Sequence, residues 1–231
     1  ISGLRNLAEQ KSQMHWQSIL LREKMIDEIA KHISKQKYIF IGEIHGVREI
    51  NNKTFEILKT LGNEKIVLCI EMPRQAEDIL IKFLQGKISK NALFKSEHLA
   101  DMLQDKRLHD GTLSLYKKLY DKGVDIIGLE DYDGEPSERD KNMAERFMEI
   151  IKERKADRYI VYAGNFHVIE KAVKIAGFEV TPIKTYLPDE LLSKILTIQF
   201  VPGEKEEILF DEKTKTIEYR LPIRRKGTRK L

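Results

Sequence analysis

Tyr38-Ile39-Phe40-Ile41-Gly42-Glu43-Ile44-His45-Gly46 is the stretch whose reading decides the fold. Tyr38–Ile41 contains no charged residue, so it reads as a short strand covered on both faces. Gly42 stops it, and an acid and a histidine follow within three residues. The same pattern recurs three times. Lys65–Ile70 is apolar after its first residue and ends at Glu71, Val124–Leu129 ends at Glu130-Asp131, and Arg158–Ala163 ends at Gly164-Asn165-Phe166-His167. Helix-period segments at 50–61, 74–85, 112–122 and 138–155 separate these strands. The first three end at Gly62, Gly86 and Gly123, each suited to a helix C-terminus. Strands alternating with helices predict a parallel sheet with helices on its faces.

Outward from this core, residues 12–36 read as an N-terminal helix, with Ile19, Met25, Ile26, Ile29 and Ile33 on one face. The stretch 87–110 has no clear period and is expected to hold short helices or a lid. A helix is expected over 167–176, closed by Gly177 and followed by a strand at Phe178–Thr181. The segment 194–221 is strand-like at Ile195–Val201, Glu207–Phe210 and Thr216–Leu221, with turns at Pro202-Gly203 and Asp211-Glu212; it predicts an antiparallel extension. A basic tail covers 222–231. The expectation is an α/β fold in one domain over 1–231: a mostly parallel central sheet flanked by helices, with an antiparallel C-terminal strand extension.

Composition narrows the function classes. With 41% hydrophobic and 34% charged residues, the chain suits a globular protein rather than a disordered one. No apolar run reaches the roughly 18 residues of a membrane span. The single cysteine, Cys69, excludes an intramolecular disulfide and a cysteine-based zinc site, and its place in an apolar strand argues against a nucleophile. The net charge of +4 rests on Arg224, Arg225, Lys226, Arg229 and Lys230 in the tail; the rest is close to neutral, so no nucleic-acid partner is expected. The sequence begins at Ile1 with no signal-peptide pattern, which makes cytoplasmic residence the expectation.

In an open parallel sheet, ligands bind beyond the carboxyl ends of the strands. Four such ends here deliver acids or histidines to one edge. Gly42-x-x-His45 and Gly164-x-x-His167 each place a glycine at the turn and a histidine three residues on. Two imidazoles and a carboxylate, His45, His167 and Glu71, are the ligand set of an open catalytic site for a divalent metal such as Zn, Mn or Co. A hydrogen-bonded turn histidine is the alternative for each. Glu71 follows an apolar run, so it is expected to be buried and partnered. Ser137 and Asp140 match a capping box that starts a helix near Glu138. Arg139 in the first turn opposes the helix dipole, and it shares a face with Met143, Phe147 and Ile150; it is therefore expected to reach a strand-end acid or an anion. Glu130-Asp131, Arg48, His98 and His109 are weaker candidates. His15-Trp16 and the Tyr116/Tyr120 pair could form an aromatic ligand surface or a homodimer interface, with core packing as the ordinary alternative. No Gly-x-Ser-x-Gly, Gly-x-Gly-x-x-Gly or Walker pattern occurs.

Ile39–Gly46, Ile70-Glu71-Met72, Arg139-Asp140-Lys141-Asn142-Met143-Ala144 and Ala163-Gly164-Asn165-Phe166-His167-Val168 together resemble the ChaN-like haem-binding uptake proteins, grouped with the Tiki/TraB proteins and the erythromycin esterases. The resemblance spans residues 37–185. It implies an active or metal site built from His45, His167 and Glu71, assisted by Arg139 with Glu43 beside them. The spacing from Glu43 to His45 is that of the ChaN-like branch, one residue shorter than in the esterases, which points away from macrolide hydrolysis. Two functions follow as expectations. The first is a metal-dependent hydrolase of a peptide or small-molecule ester, with Glu43 or Glu71 as base and Arg139 on the oxyanion. The second is a haem- or iron-binding carrier without turnover.

Overall fold

The apolar runs form the strands they predict. In the computed structural model, which describes residues 23–131, 138–175 and 178–223, a seven-stranded sheet has the order β3-β2-β4-β1-β7-β9-β8. Its first four strands, β1 (Tyr38–Glu43), β2 (Ile66–Pro73), β3 (Asp125–Glu130, at one edge) and β4 (Arg158–Gly164), all pair in parallel. Every residue of β1 and β2 is buried, as a strand covered on both faces requires.

Side-chain alternation divides the core into two layers. Ile39, Ile41, Leu68, Ile70, Ile126 and Ile160 face one way, against the helix at 23–33 (α1), α2 (Arg48–Lys59), α3 (Glu77–Leu84) and α6 (Asp110–Tyr120). Phe40, Val67, Cys69, Ile127, Leu129 and Val161 face the other way, against α7 (Arg139–Glu153), whose Met143, Phe147 and Ile150 form the expected stripe. The region 87–110 carries the short helices α4 (Lys90–Leu93) and α5 (Ala100–Gln104).

The C-terminal strands join the same sheet. β7 (Ile195–Pro202) lies parallel to β1, and β9 (Thr216–Leu221) parallel to β7. The antiparallel character of the extension resides in β8 (Glu207–Asp211), which turns back after β7 and pairs with β9 at the edge. The helix expected at 167–176 is not formed. A single turn, α8 (Asn165–Val168), is followed by β5 (Val173–Ile175), which pairs antiparallel with β6 (Phe178–Val180). Val173, Ile175, Phe178 and Val180 alternate at a strand period, and β-branched residues favour that outcome over a short helix. A further single turn, α9 (Asp189–Leu192), precedes β7. The expected helix over 12–22, Ser137 and the basic tail from 224 lie outside the described residues, as do His15 and Trp16. No helix among the described residues is long and apolar enough to cross a membrane.

Candidate functional site

The strand ends meet at the carboxyl edge of the sheet. Glu43 closes β1, Glu130 closes β3 and Gly164 closes β4. Glu71 needs a local irregularity. The β2–β3 register holds through Ile70–Gly128, shifts, and resumes at Pro73–Glu130, so Glu71 and Met72 form a bulge that redirects the Glu71 side chain. Gly128 makes room for it, since a Cβ there would lie 2.6 Å from the Met72 carbonyl oxygen.

Glu71 is buried and fully engaged. Its Oε1 accepts from Arg139 Nη2 at 2.5 Å and from Arg107 Nη1 at 3.3 Å, and its Oε2 accepts from the Gly164 backbone N–H at 2.6 Å. Arg139 Nε also donates to Glu130 Oε1 at 2.6 Å, and Arg107 Nη1 to both Glu130 oxygens at 2.9 and 3.0 Å. Arg107 Nε is tied in turn to Asp105 at 2.6 Å. Burial alone would push the Glu71 carboxyl up, but His167, Arg139 and Arg107 overcome it and hold it well below the usual carboxylate range.

The two histidines are each held by an acid on Nδ1. His167 Nδ1 bonds Asp140 Oδ1 at 2.6 Å, while its Nε2 lies 3.5 Å from Glu71 Oε1. Burial disfavours its charge, yet Asp140 and Glu71 raise its pKa to about 9, so it is an imidazolium at neutral pH. His45 Nδ1 bonds Glu43 Oε1 at 2.6 Å. With Glu43 ionised, Nδ1 carries the proton and donates, leaving the Nε2 lone pair free. The Nε2 edge faces Gly164, where a Cβ would stand 3.2 Å from Nε2 and 3.4 Å from Glu71 Oε2. Burial lowers the His45 pKa, but the Glu43 hydrogen bond and the Glu71 charge raise it more, to a net value above that of free imidazole. Burial pushes the Glu43 carboxyl up, against the pull of His45.

The turn after β1 is itself shaped for this arrangement. Gly46 has φ +80°, and the stem of Lys106 covers it; a Cβ on Gly46 would lie 3.2 Å from Lys106 Cδ. Lys106 has φ +66°, an uncommon conformation for a residue with a side chain. The loop carrying Asp105, Lys106 and Arg107 thus crosses beside His45.

These contacts bear on the fit of a metal ion. His45, His167 and Glu71 do not present a free donor set: both Glu71 oxygens are engaged, two guanidiniums point at it, and His167 is cationic. A divalent ion there would face three positive charges. No group of three His, Cys, Asp or Glu among the described residues has metal-holding geometry. The cavity behind the acids is about 10 Å³, and the clefts of about 610 and 340 Å³ at the β8–β9 end are lined largely by charged and polar groups such as Lys205, Glu207, Asp211 and Arg220.

Sequence reasoning placed Glu43, His45, Glu71, Arg139 and His167 together, and the structure brings all five to this edge. Arg139 reaches strand-end acids as expected, though its guanidinium is taken up by Glu71 and Glu130 and not presented to a free anion. Glu130, a weaker candidate, is central to the ion network, whereas the neighbouring Asp131 is exposed. Two residues were missed. Asp140 orients His167 and does not cap its helix; the N-cap is Glu138, with no side-chain cap bond. Arg107 comes from the segment without a period, and its Asp105-x-Arg107 spacing was the one available signal. Tyr116 is a core residue, and His109 caps α6 by accepting from Gly111 N–H at 3.1 Å. Arg48 is exposed.

No protein-family model and no curated protein matches the chain. Several solved structures do. The C-terminal region of Pasteurella multocida toxin, described as having a thiol-protease like catalytic triad, aligns with TM-score 0.50 and 13% identity over 84% of this chain and 25% of that one. ChaN of Campylobacter jejuni, described with cofacial heme binding, aligns with TM-score 0.49 and 14% identity over 85% of this chain and 91% of that one. RRSP, a MARTX toxin effector domain from Vibrio vulnificus, aligns with TM-score 0.46 and 16% identity over 82% of this chain and 36% of that one. The chain spans between 25% and 36% of the length of these bacterial toxin structures. At these identities the likeness concerns the fold.

Proposed function

We propose that the protein is a hydrolase of an ester or peptide bond that uses a histidine–carboxylate base in place of a metal. The observation that carries this reading is the His45 Nδ1–Glu43 bond of 2.6 Å, which leaves Nε2 unpartnered among the described residues and open towards the Gly164 turn. In this reading Nε2 removes a proton from water as the water oxygen bonds to the substrate carbonyl carbon. Glu43 stays ionised and steadies the imidazolium that forms. His167 is the partner of opposite character. Its Nε2 is 3.5 Å from Glu71 Oε1, a long contact that its N–H can exchange for the developing oxyanion. Collapse breaks the carbonyl–heteroatom bond, and His45 returns its proton to the leaving group.

Arg139 and Arg107 then serve as positioning residues that keep Glu71 ionised and hold Glu71 and Glu130 in place. A cysteine nucleophile does not suit this chain: Cys69 is fully buried in β2, and burial pushes its thiol far above the ordinary range. The test is a pH profile of kcat/KM on a panel of p-nitrophenyl esters and short peptides. The reading requires a limb that rises as His45 loses its proton, at a pH above the free-imidazole value, and a falling limb near the His167 pKa of about 9. No turnover of any member, or a profile flat from pH 5 to 10, would contradict it.

A further inference from the structure

Glu43 has a second carboxylate oxygen that the His45 bond does not use. Oε2 is buried and has no partner among the described residues, although Glu43 is only 6% exposed. A carboxylate oxygen left so costs on the order of 1–3 kcal/mol or more. Beside it lies a small cavity of about 10 Å³, lined by Glu43, Glu71, Met102, Arg107, Tyr116, Tyr162 and Ala163. That volume is about one water-sized sphere, and a buried water is stable where two to four polar groups surround it.

The lining has the matching donors. Tyr162 accepts from Asn51 Nδ2 at 2.7 Å, with Thr54 also beside its hydroxyl, and its own O–H remains a donor that the cavity it lines can use. Tyr116, only 3% exposed, lines the same cavity and carries a second phenolic hydroxyl. Two phenolic donors and one orphaned carboxylate acceptor around a one-water space form a complementary set. We infer that a resident water occupies this cavity, donating to Glu43 Oε2 and accepting from the Tyr116 and Tyr162 hydroxyls. Tyr116 and Tyr162 thereby become positioning residues for the His45–Glu43 pair, one hydrogen bond removed from the imidazole. The site holds a water and nothing larger, and it stands whether or not the hydrolytic reading does.

The experiment is a crystal structure at atomic resolution of the wild type and of Tyr116→Phe and Tyr162→Phe, with proton NMR of the His45 Nδ1–H on the same proteins. Both substitutions keep the ring and remove one hydroxyl, and far-UV circular dichroism checks that each variant folds. The wild type should show an ordered water within hydrogen-bonding distance of Glu43 Oε2. At least one variant should lose or displace it, with a shift of the downfield His45 Nδ1–H resonance. A dry cavity in the wild type, or a Glu43 carboxylate rotated to fill it, overturns the site. A water that persists in both variants with an unmoved His45 resonance overturns the positioning role.

Discussion

Gly164→Ala separates the proposed chemistry from the fold. The backbone at Gly164 has φ −56° and ψ 147°, which alanine adopts without strain, so the smaller unfolded-state entropy of alanine would by itself stabilise the protein by about 0.4–1 kcal/mol. The added methyl would stand 3.0 Å from His45 Cε1, 3.2 Å from His45 Nε2 and 3.4 Å from Glu71 Oε2. Ordinary carbon contacts need about 3.5–4.0 Å, so the imidazole must retreat by several tenths of an ångström. His45 borders solvent and can do so, which caps the overpacking cost near the low end of the ~1–3 kcal/mol range. Net stability should therefore stay within about 1 kcal/mol of wild type. The reacting edge of His45 moves, however, and a misplacement of about 1 Å can cost 10²-fold in rate, so kcat/KM should fall on the order of 10-fold or more. Urea denaturation and ester hydrolysis measure the two quantities. Gly42→Ala is the contrast: its Cβ would lie 2.3 Å from Asn165 Oδ1 and 2.6 Å from Val168 Cγ2, a clash with the whole of α8. That variant should lose stability and activity together. Wild-type turnover in Gly164→Ala would refute the view that the Nε2 edge of His45 is where the reaction occurs.

Stability should also follow pH through His167. Its folded pKa of about 9 exceeds the unfolded value of 6.5, so the stabilisation is complete below pH 6.5 and is lost as pH rises to about 9. The loss is on the order of 3 kcal/mol, and thermal melts should show it as a decline over that window that His167→Gln flattens. An unchanged melt from pH 6 to 9 would mean that the Asp140–His167–Glu71 chain carries no net stability. Hemin titration addresses the carrier expectation: binding should be weak and indifferent to His45→Ala, and a stoichiometric Soret-shifted complex abolished by mutation of the exposed Tyr186 would revive haem.

The sheet was legible because β1 to β4 are buried on both faces, and continuous apolar runs such as Cys69 with its neighbours in β2 have few other uses. The carboxyl-edge cluster was legible for the same reason, since acids and histidines stood directly after those runs. What the chain order hid was partnership. Asp140 reads as a capping residue because local spacing cannot show that His167, far along the chain, takes its carboxylate. Arg107 sits in a stretch without periodicity, where placement depends wholly on tertiary packing. The ion pairs were hidden in the same way: His45, His167 and Glu71 have the identities of ligands, and chain order does not show that Arg139 and Arg107 pair with the carboxylate. The helix expected at 167–176 was a competition between a weak 3.6-residue pattern and β-branched residues that found strand pairing in β5 and β6.

The most direct test of a metal-free His45–Glu43 base is ester hydrolysis by protein stripped with a strong chelator, measured before and after addition of Zn²⁺, Mn²⁺ or Co²⁺, alongside His45→Ala. The account predicts that the stripped wild type keeps its full rate, that added metal does not raise it, and that His45→Ala abolishes turnover while the fold persists. Loss of activity on stripping with recovery on metal addition would contradict it, as would a His45→Ala variant that hydrolyses at the wild-type rate.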